Sequence, residues 1–600
     1  MKLQNLITPE KALIGFLLAS SFVYCLMLPQ NYVGFFNDDA MYILATKSLL
    51  QGRYVALELP GQPFLNYPLP GFPLFLAPFV KLATPHWHFL KIVTLLLTLL
   101  SASLLWIILK LWLRPWPRVG VISLFLLNPL TLLSSTNIMS EPCFLFGILI
   151  SFIGLSRTLS SISPIPALQT WAVGLAIAWT SLIRPQGFIL IPFVLAGLGY
   201  QKKWRLAIPL AGPALFFWIA LLARNYILTH TLNAYLSRWL MRVPLQSPAV
   251  VLSNLGQWFQ SLCIKAFFGF FSLSSGVQSR IVQGFGILVL LGLMITGFIG
   301  LSREKNLPHG YLLAFGGFLM AYFLGHVLWV AIDPHYLLPL MPFIFALTFK
   351  GLHDIFPKGH RHCAILAAYL MMLSLFLIED KVIVSGIVSP PYNRRTQLPD
   401  ETLRWIKEKL PENQPLFSNK PKMVYLYTGH QAMGPAHFHD QEEFRYWLLK
   451  SDVHFLALFP QIYLSEEWTA WWERFHLWVL SSPDAYPPIY GNATEQTNIF
   501  AVQRDDRFMK AWELYVVGRT QIESGSSDRA LNTLNEAIKY DPNLVQALNA
   551  YGATCLLLNR NLKQGERCVR EALRIQPCFP LATRNLERYQ VLKKSGRYKS

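Results

Sequence analysis

The chain has 600 residues, 53% of them hydrophobic and only 14% charged, with 41 Phe and 18 Trp; this is too apolar for a soluble protein of that length and fits a polytopic α-helical membrane protein. The formal net charge of +19 does not indicate nucleic acid, because no basic run is interleaved with base-stacking aromatics. Lys and Arg retained in cytoplasmic loops produce a basic balance of this kind. Seven cysteines, spread from Cys25 to Cys578, include no Cys-x-x-Cys pair, so neither a zinc site nor a disulfide framework is indicated.

About eleven apolar stretches reach the length needed to cross a hydrocarbon core of ~30 Å or to lie buried among helices that do. They fall at 12–30, 89–112, 118–134, 142–157, 170–184, 186–200, 206–228, 281–301, 310–332, 336–350 and 362–378. The first is followed by no small-residue cleavage site and so reads as a retained span. Pro185 makes the fifth and sixth either a tight hairpin or one broken helix. With the N-terminus in the cytoplasm, alternate loops carry Lys110, Arg114 and Arg118, then Arg157, then "QKKWR" at 201–205, "SREK" at 302–305 and "KGHRH" at 358–362. The positive-inside rule selects that orientation. The loop at 31–88, the loop holding Glu141, the loop at about 229–280 and everything past about 380 then lie outside or in a lumen.

The domains expected are a transmembrane domain at 1–390, a small soluble α/β domain at 391–505 and a helical tail at 506–600. In the second, "LPDETLRWIKEKLP" has an amphipathic helix pattern and "MVYLYTG" reads as a strand. "NAT" at 492–494 fits an N-glycosylation acceptor, a pattern too short to weigh much. In the tail, Gly518, Ala530, Ala537 and Pro542 have tetratricopeptide-repeat spacing, and Gly552, Ala572 and Pro577 repeat it with one residue inserted. Small residues belong where two helices cross closely, and a proline where the second must stop. Leu514 and Gln521 stand where that motif favours Trp and Tyr. About two repeats of this type bind a peptide or protein partner, or else serve as a cap.

The first external loop opens on paired carboxylates, Asp38 and Asp39, in "NDDAMYILATKSLLQGRY". Met41, Ile43, Leu44, Leu49 and Leu50 mark an amphipathic helix whose N-cap is Asp38 or Asp39. One reading is a cap beside a solvated neighbour. The other is a general base held at a membrane surface, since the "LNYPLPGFPLFLAPF" that follows suits an interfacial loop.

An acidic pair, a Tyr, an "A-x-x-L" helix, a Gly and a Pro-rich interfacial stretch in the first external loop resemble the GT-C superfamily of membrane glycosyltransferases. The similarity is to its protein mannosyltransferase and aminoarabinose transferase group and covers roughly residues 10–430. "NPLTLLSSTNIMSEPCFLF" at 128–146 places Glu141 in the second external loop as that family does, and "SLIRPQGFILIP" at 181–192 and "DPHYLLPLMPF" at 333–343 resemble its later helix junctions. His335 departs from the Arg common in relatives before the Tyr. The repeat tail resembles that of the transmembrane and tetratricopeptide-repeat mannosyltransferases, whose arrays are longer.

The resemblance implies an inverting transfer of a sugar from a polyprenyl-phosphate donor to a protein, lipid or glycan acceptor outside the cytoplasm. Asp39 is the expected base with Asp38 as its alternative, and Glu141 orients the acceptor or a divalent metal; read alone, Glu141 is an acid favourable to its helix dipole. The leaving phosphate needs positive donors on the same side. Arg184 ranks first among them, because an arginine at a span end is costly unless it is used or snorkels. His335, Arg224, Arg53, Arg238, Arg242 and Lys265 follow. His86 and His88 have metal-ligand spacing but no carboxylate near them in sequence. A bacterial plasma membrane is preferred over endoplasmic reticulum, on the family variant resembled. The competing classes are an O-antigen ligase or polymerase, and an inactive GT-C-like scaffold assembling envelope proteins through its repeats. A secondary transporter is disfavoured, since its charges belong at mid-membrane and here the carboxylates cluster at external ends.

Overall fold

The computed structural model describes residues 8–598 apart from 30, 85, 162–165, 233–249, 251–252, 258–276, 305–306, 328–333, 358, 389–396, 435–437, 439, 461–474 and 596–597. They form two compact units. One runs to Asp400 and takes in Tyr425–Tyr427; the other comprises Glu401–Val424 and Thr428 onward.

The first unit is built from α1 (Pro9–Met27), α2 (Asp38–Leu50), α3 (Gly71–Ala83), α4 (Phe89–Ile108), α5 (Pro115–Leu126), α6 (Pro129–Ser135), α7 (Ser140–Ser160), α8 (Ala167–Ile183), α9 (Leu190–Tyr200), α10 (Ala207–Thr229), α11 (Val277–Ser302), α12 (His309–Val327), α13 (Met341–Ile355) and α14 (Arg361–Val388). Among the described residues, helix covers most of each of the eleven predicted stretches. By length and composition, four are able to cross a membrane: Pro9–Met27, Phe89–Leu111, Ser140–Ser160 and Trp204–Thr229. The α5–α6 pair, bent by 59°, makes a fifth if counted as one span. That bend has a local cause: Pro129 has no N–H to continue α5, and the Asn128 side chain starts α6 by accepting from Leu130 N at 2.9 Å.

The segment between α1 and α4 is a folded layer. A bridge joins Val55 to Phe64, the Tyr54 hydroxyl donates to Pro68 O at 2.6 Å, and the Thr46 hydroxyl reaches Tyr42 O at 2.7 Å and Pro73 O at 3.2 Å, tying α2 to α3. Gly71 is required where α3 meets the end of α8: a Cβ there would lie 2.5 Å from Leu182 C and 2.6 Å from Ile183 N. Trp179 Nε1 seals the approach by donating to Gly71 O at 3.1 Å. Two expectations need correcting. The cap of α2 is Asn37, held at φ 65°, and both aspartates lie inside the first turn. The helix is also buried on every face from Asp39 to Thr46, so it is a core element with no polar side there.

The second unit begins with α15 (Asp400–Lys409), where Thr402, Leu403 and Ile406 are the buried face of the predicted amphipathic helix. Its five-stranded mixed sheet has the order β2-β1-β3-β5-β4, with β1 at Leu416–Ser418, β2 at Ala432–Met433, β3 at Phe455–Leu458, β4 at Pro488–Asn492 and β5 at Thr497–Ala501. β1 pairs in parallel with β2 and β3, whereas β5 runs antiparallel to β3 and β4. "MVYLYTG" falls on a helix, α16 (Pro421–Thr428), and not on a strand: Pro421 at its first position favours helix initiation, and Met423 and Val424, which belong to this unit, are buried. α17 (Gln441–Lys450) packs beside the sheet, with Phe444 and Leu448 in the core. Asn492 is engaged, its side-chain N–H donating to Glu401 Oε2 at 2.7 Å.

Five helices follow: α18 (Asp506–Glu523), α19 (Ser527–Tyr540), α20 (Val545–Leu558), α21 (Leu562–Ile575) and α22 (Pro580–Lys594). Three-residue connections make α18–α19 and α20–α21 helical hairpins. Ala530, Ala537 and Ala572 are fully buried, and a Cβ on Gly518 would meet Leu534 at 2.8 Å. Asn549 and Asn585 share a buried hydrogen bond of 2.9 Å, and the Tyr589 hydroxyl donates to Gly552 O at 2.7 Å.

Candidate functional site

Glu141 opens α7 at its electropositive N-terminal end and is 2% exposed. It forms an ion pair with Arg184 and lies 3.2 Å from His335 Nε2. Arg184 occupies the break between α8 and the 3-10 turn Pro185–Ile189. Because a proline follows, its backbone is extended, with φ −142° and ψ 145°, and α8 stops there. The guanidinium also donates to Ser140 Oγ at 3.2 Å and lies over the Tyr336 ring at 5.1 Å.

The same serine joins this cluster to α2. Tyr42, one helical turn beyond Asp38, donates its hydroxyl to Ser140 Oγ at 2.9 Å. Burial, reinforced by the Asp38 charge, pushes the Tyr42 phenol well above its ordinary range against the opposing pull of Arg184. Tyr42 therefore stays a protonated donor. The residues from four separate segments thus converge: Tyr42 from α2, Ser140 and Glu141 from α7, Arg184 after α8, and His335 and Tyr336 before α13.

The two aspartates have different environments. Asp39 is 1% exposed; its Oδ2 accepts from Gly34 N at 2.6 Å and its Oδ1 from Ala40 N at 2.9 Å. It therefore fastens the turn that precedes α2, where Gly34 (φ 99°) and Asn37 (φ 65°) both take left-handed conformations. Asp38 is half-buried at the first position of the helix. Lys91, buried in the first turn of α4, holds the chain just after α1 by donating to Leu28 O at 2.9 Å and to Asn31 O, within range of the Asp39 charge.

Other expected phosphate ligands lie elsewhere. Arg224 on α10 donates to Leu65 O at 2.8 Å, Asn225 Oδ1 at 2.9 Å and Tyr54 O at 3.1 Å, clasping the 54–65 segment. Arg53 is exposed and bonded to Gln51 at 2.9 Å. Arg238, Arg242, Lys265 and Asp333 lie outside the described residues. Among the described residues, no group of three or more His, Cys, Asp or Glu is placed to hold a metal ion, His86 and His88 included. A cation at Glu141 would have to compete with Arg184 and His335.

Sequence reasoning gave no role to Ser140 or Lys91, and met Tyr42 and Tyr336 only as the tyrosines of the family-like stretches. Ser140 carries no local signal, since only the fold gathers it with the others. Lys91 does carry one: an ionisable residue inside the apolar run 89–112.

No family model matches the chain, and no curated protein matches it. Solved structures do. The aminoarabinose transferase ArnT from Cupriavidus metallidurans bound to undecaprenyl phosphate superposes with a TM-score of 0.50 at 12% identity, over 81% of this chain and 97% of that one. Its apo state gives 0.49 at 11% over the same shares. The Archaeoglobus fulgidus oligosaccharyltransferase tethered to an acceptor peptide containing the NVT sequon gives 0.49 at 11%, over 82% of this chain and 74% of that one.

Proposed function

From its GT-C-like fold and its apolar helices, which together make it an integral membrane protein, we propose that this chain is an inverting glycosyltransferase. It moves a sugar from a polyprenyl-phosphate donor to an acceptor on the external or lumenal side. The observation that carries the reading is the buried Arg184–Glu141–His335 cluster, joined through Ser140 and Tyr42 to the loop of the paired aspartates.

In this reading Arg184 meets the departing lipid phosphate, where a desolvated cation is worth most against developing negative charge. Glu141 keeps Arg184 charged and oriented, and His335 lies beside them. The acceptor hydroxyl gives its proton to a carboxylate of the first loop as its oxygen attacks the anomeric carbon, and the phosphate oxygen leaves from the opposite face with the C–O bonding pair. Asp38 is the better placed base: it is half-buried, whereas both Asp39 oxygens hold backbone N–H groups of the turn that presents Asp38. Asp39 is then a positioning residue. Arg224 and Arg53 act on the loop and not on phosphate. The undecaprenyl phosphate bound by ArnT supplies the donor class by likeness, and the helical tail is read as two tetratricopeptide repeats that engage a protein partner.

The test is a panel of radiolabelled polyprenyl-phosphate hexoses offered to purified protein with membrane extract as acceptor source, following release of lipid phosphate. Turnover with one donor that Arg184→Met abolishes supports the reading. Absence of turnover with every donor would move the weight to a scaffold.

A further inference from the structure

His326, in the last turn of α12, is 2% exposed and has its Nδ1 2.8 Å from Tyr322 O. A carbonyl oxygen can only accept, so Nδ1 carries the proton and the neutral ring presents Nε2 as an acceptor. The Gln186 side-chain nitrogen lies 3.2 Å from that Nε2. Only the amide N–H can face it, which fixes the orientation of a group that otherwise flips freely. Gln186 Oε1 is thereby set on the other side, buried, with no hydrogen-bond partner among the described residues. A buried acceptor without a donor is destabilising unless something supplies one.

The place of this oxygen gives it meaning. Gln186 follows Arg184 by two residues in the turn Pro185–Ile189. The Tyr336 ring, under the Arg184 guanidinium at 5.1 Å, is 5.5 Å from the His326 ring, so one aromatic ring separates the proposed phosphate ligand from the histidine that aims Gln186. The sugar of a lipid-phosphate donor is bonded directly to that phosphate and carries several hydrogen-bond donors.

Resting on the donor reading above, we propose that Gln186 Oε1 is a specificity determinant: the preset acceptor for a hydroxyl or amino group of the transferred sugar, with His326 its positioning residue. A site built around a polar partner discriminates strongly against a ligand lacking it, because the buried group is then left unpaired.

The experiment measures binding of undecaprenyl phosphate and of undecaprenyl-phosphoryl hexoses, including monodeoxy analogues, to the full-length protein in detergent. Wild type should prefer one sugar-bearing lipid over the bare lipid, and a single deoxy position should weaken it by about 10- to 100-fold. Gln186→Leu should erase that preference while leaving affinity for the bare lipid in place. Gln186→Glu keeps an acceptor but sets a carboxylate against His326 Nε2, which must then be protonated, so its sugar preference should become pH-dependent where that of wild type is not. A purely structural role would not move that pH profile. Unchanged preference in Gln186→Leu, meaning that a buried water satisfies Oε1, overturns the inference while the donor reading stands. Should Gln186→Leu fail to fold, a deoxy panel bound uniformly by wild type overturns it instead. If wild type binds neither lipid, the donor reading itself falls and takes the inference with it.

Discussion

Replacing Glu141 by Ala leaves Arg184 buried without its counter-charge. Removing one partner of a buried pair costs about 3–5 kcal/mol, chiefly through the charge left behind. Here Arg184 retains the Ser140 bond at 3.2 Å and the Tyr336 ring at 5.1 Å, which places the expected loss near the lower end, at about 3 kcal/mol. Glu141→Gln keeps an acceptor at the same place and should lose less. In the double variant Glu141→Leu/Arg184→Met the cluster is apolar throughout, and most of the loss should be recovered. Equilibrium unfolding in mixed micelles with increasing SDS gives these free energies, and the single variants Glu141→Leu and Arg184→Met, measured beside wild type and the double, give the coupling. A Glu141→Ala variant within about 0.5 kcal/mol of wild type, the range of an unremarkable surface change, would refute the reasoning. So would a double variant whose loss equals the sum of the two singles.

Three further expectations concern the scaffold. Gly71→Ala pushes a methyl against the Leu182–Ile183 backbone, which cannot yield as a side chain would, and should destabilise the first unit by about 1–3 kcal/mol in the same unfolding assay. Arg224→Lys loses the fork that holds Leu65 O and Tyr54 O together; amide exchange across 54–65 should accelerate by roughly tenfold, with no change expected in the α20–α22 segment. Burial would raise the Glu566 carboxyl, but hydrogen bonds from Lys593, Tyr598 and Arg570 outweigh it and hold it at about 2, below its usual 4.5. Its folded-state value is depressed, so its support for the α21–α22 pairing is complete above 4.5 and fades as pH falls toward 2. Exchange protection there should drop over that window, and Glu566→Gln should flatten the dependence.

Which parts of this were legible in the sequence follows from how local each cause is. Helices at the eleven apolar stretches needed only hydrophobic run length and punctuating prolines, and Pro185 and Pro129 mark breaks that steric rules dictate. Misreading "MVYLYTG" as a strand has an equally local cause: four of its seven residues, Val424, Tyr425, Tyr427 and Thr428, are β-prone, a run this short fits both periods, and the helix is set by the initiating Pro421. α2 looked amphipathic because Thr46, Ser48 and Asp39 are polar, yet they are buried with internal partners, which only tertiary contacts reveal. Glu141 and Arg184 were each singled out by residue type at a span end. Their pairing, across residues 141 and 184 and on to 335, depends on how α7, α8 and α13 are brought together. Ser140 and Gln186 are ordinary residues whose contacts, with Tyr42 and Arg184 for one and with His326 for the other, come from neighbours that only the fold brings together.

The central claim is that the first-loop carboxylates drive sugar transfer. Single-turnover release of lipid phosphate from the preferred polyprenyl-phosphoryl hexose, measured with wild type, Asp38→Asn and Asp39→Asn at saturating donor, tests it most directly. The account predicts that Asp38→Asn slows release by about 10²- to 10⁴-fold with donor binding retained. It predicts a smaller loss for Asp39→Asn, accompanied by faster amide exchange in the 31–37 turn. Release at the wild-type rate in both variants would contradict it.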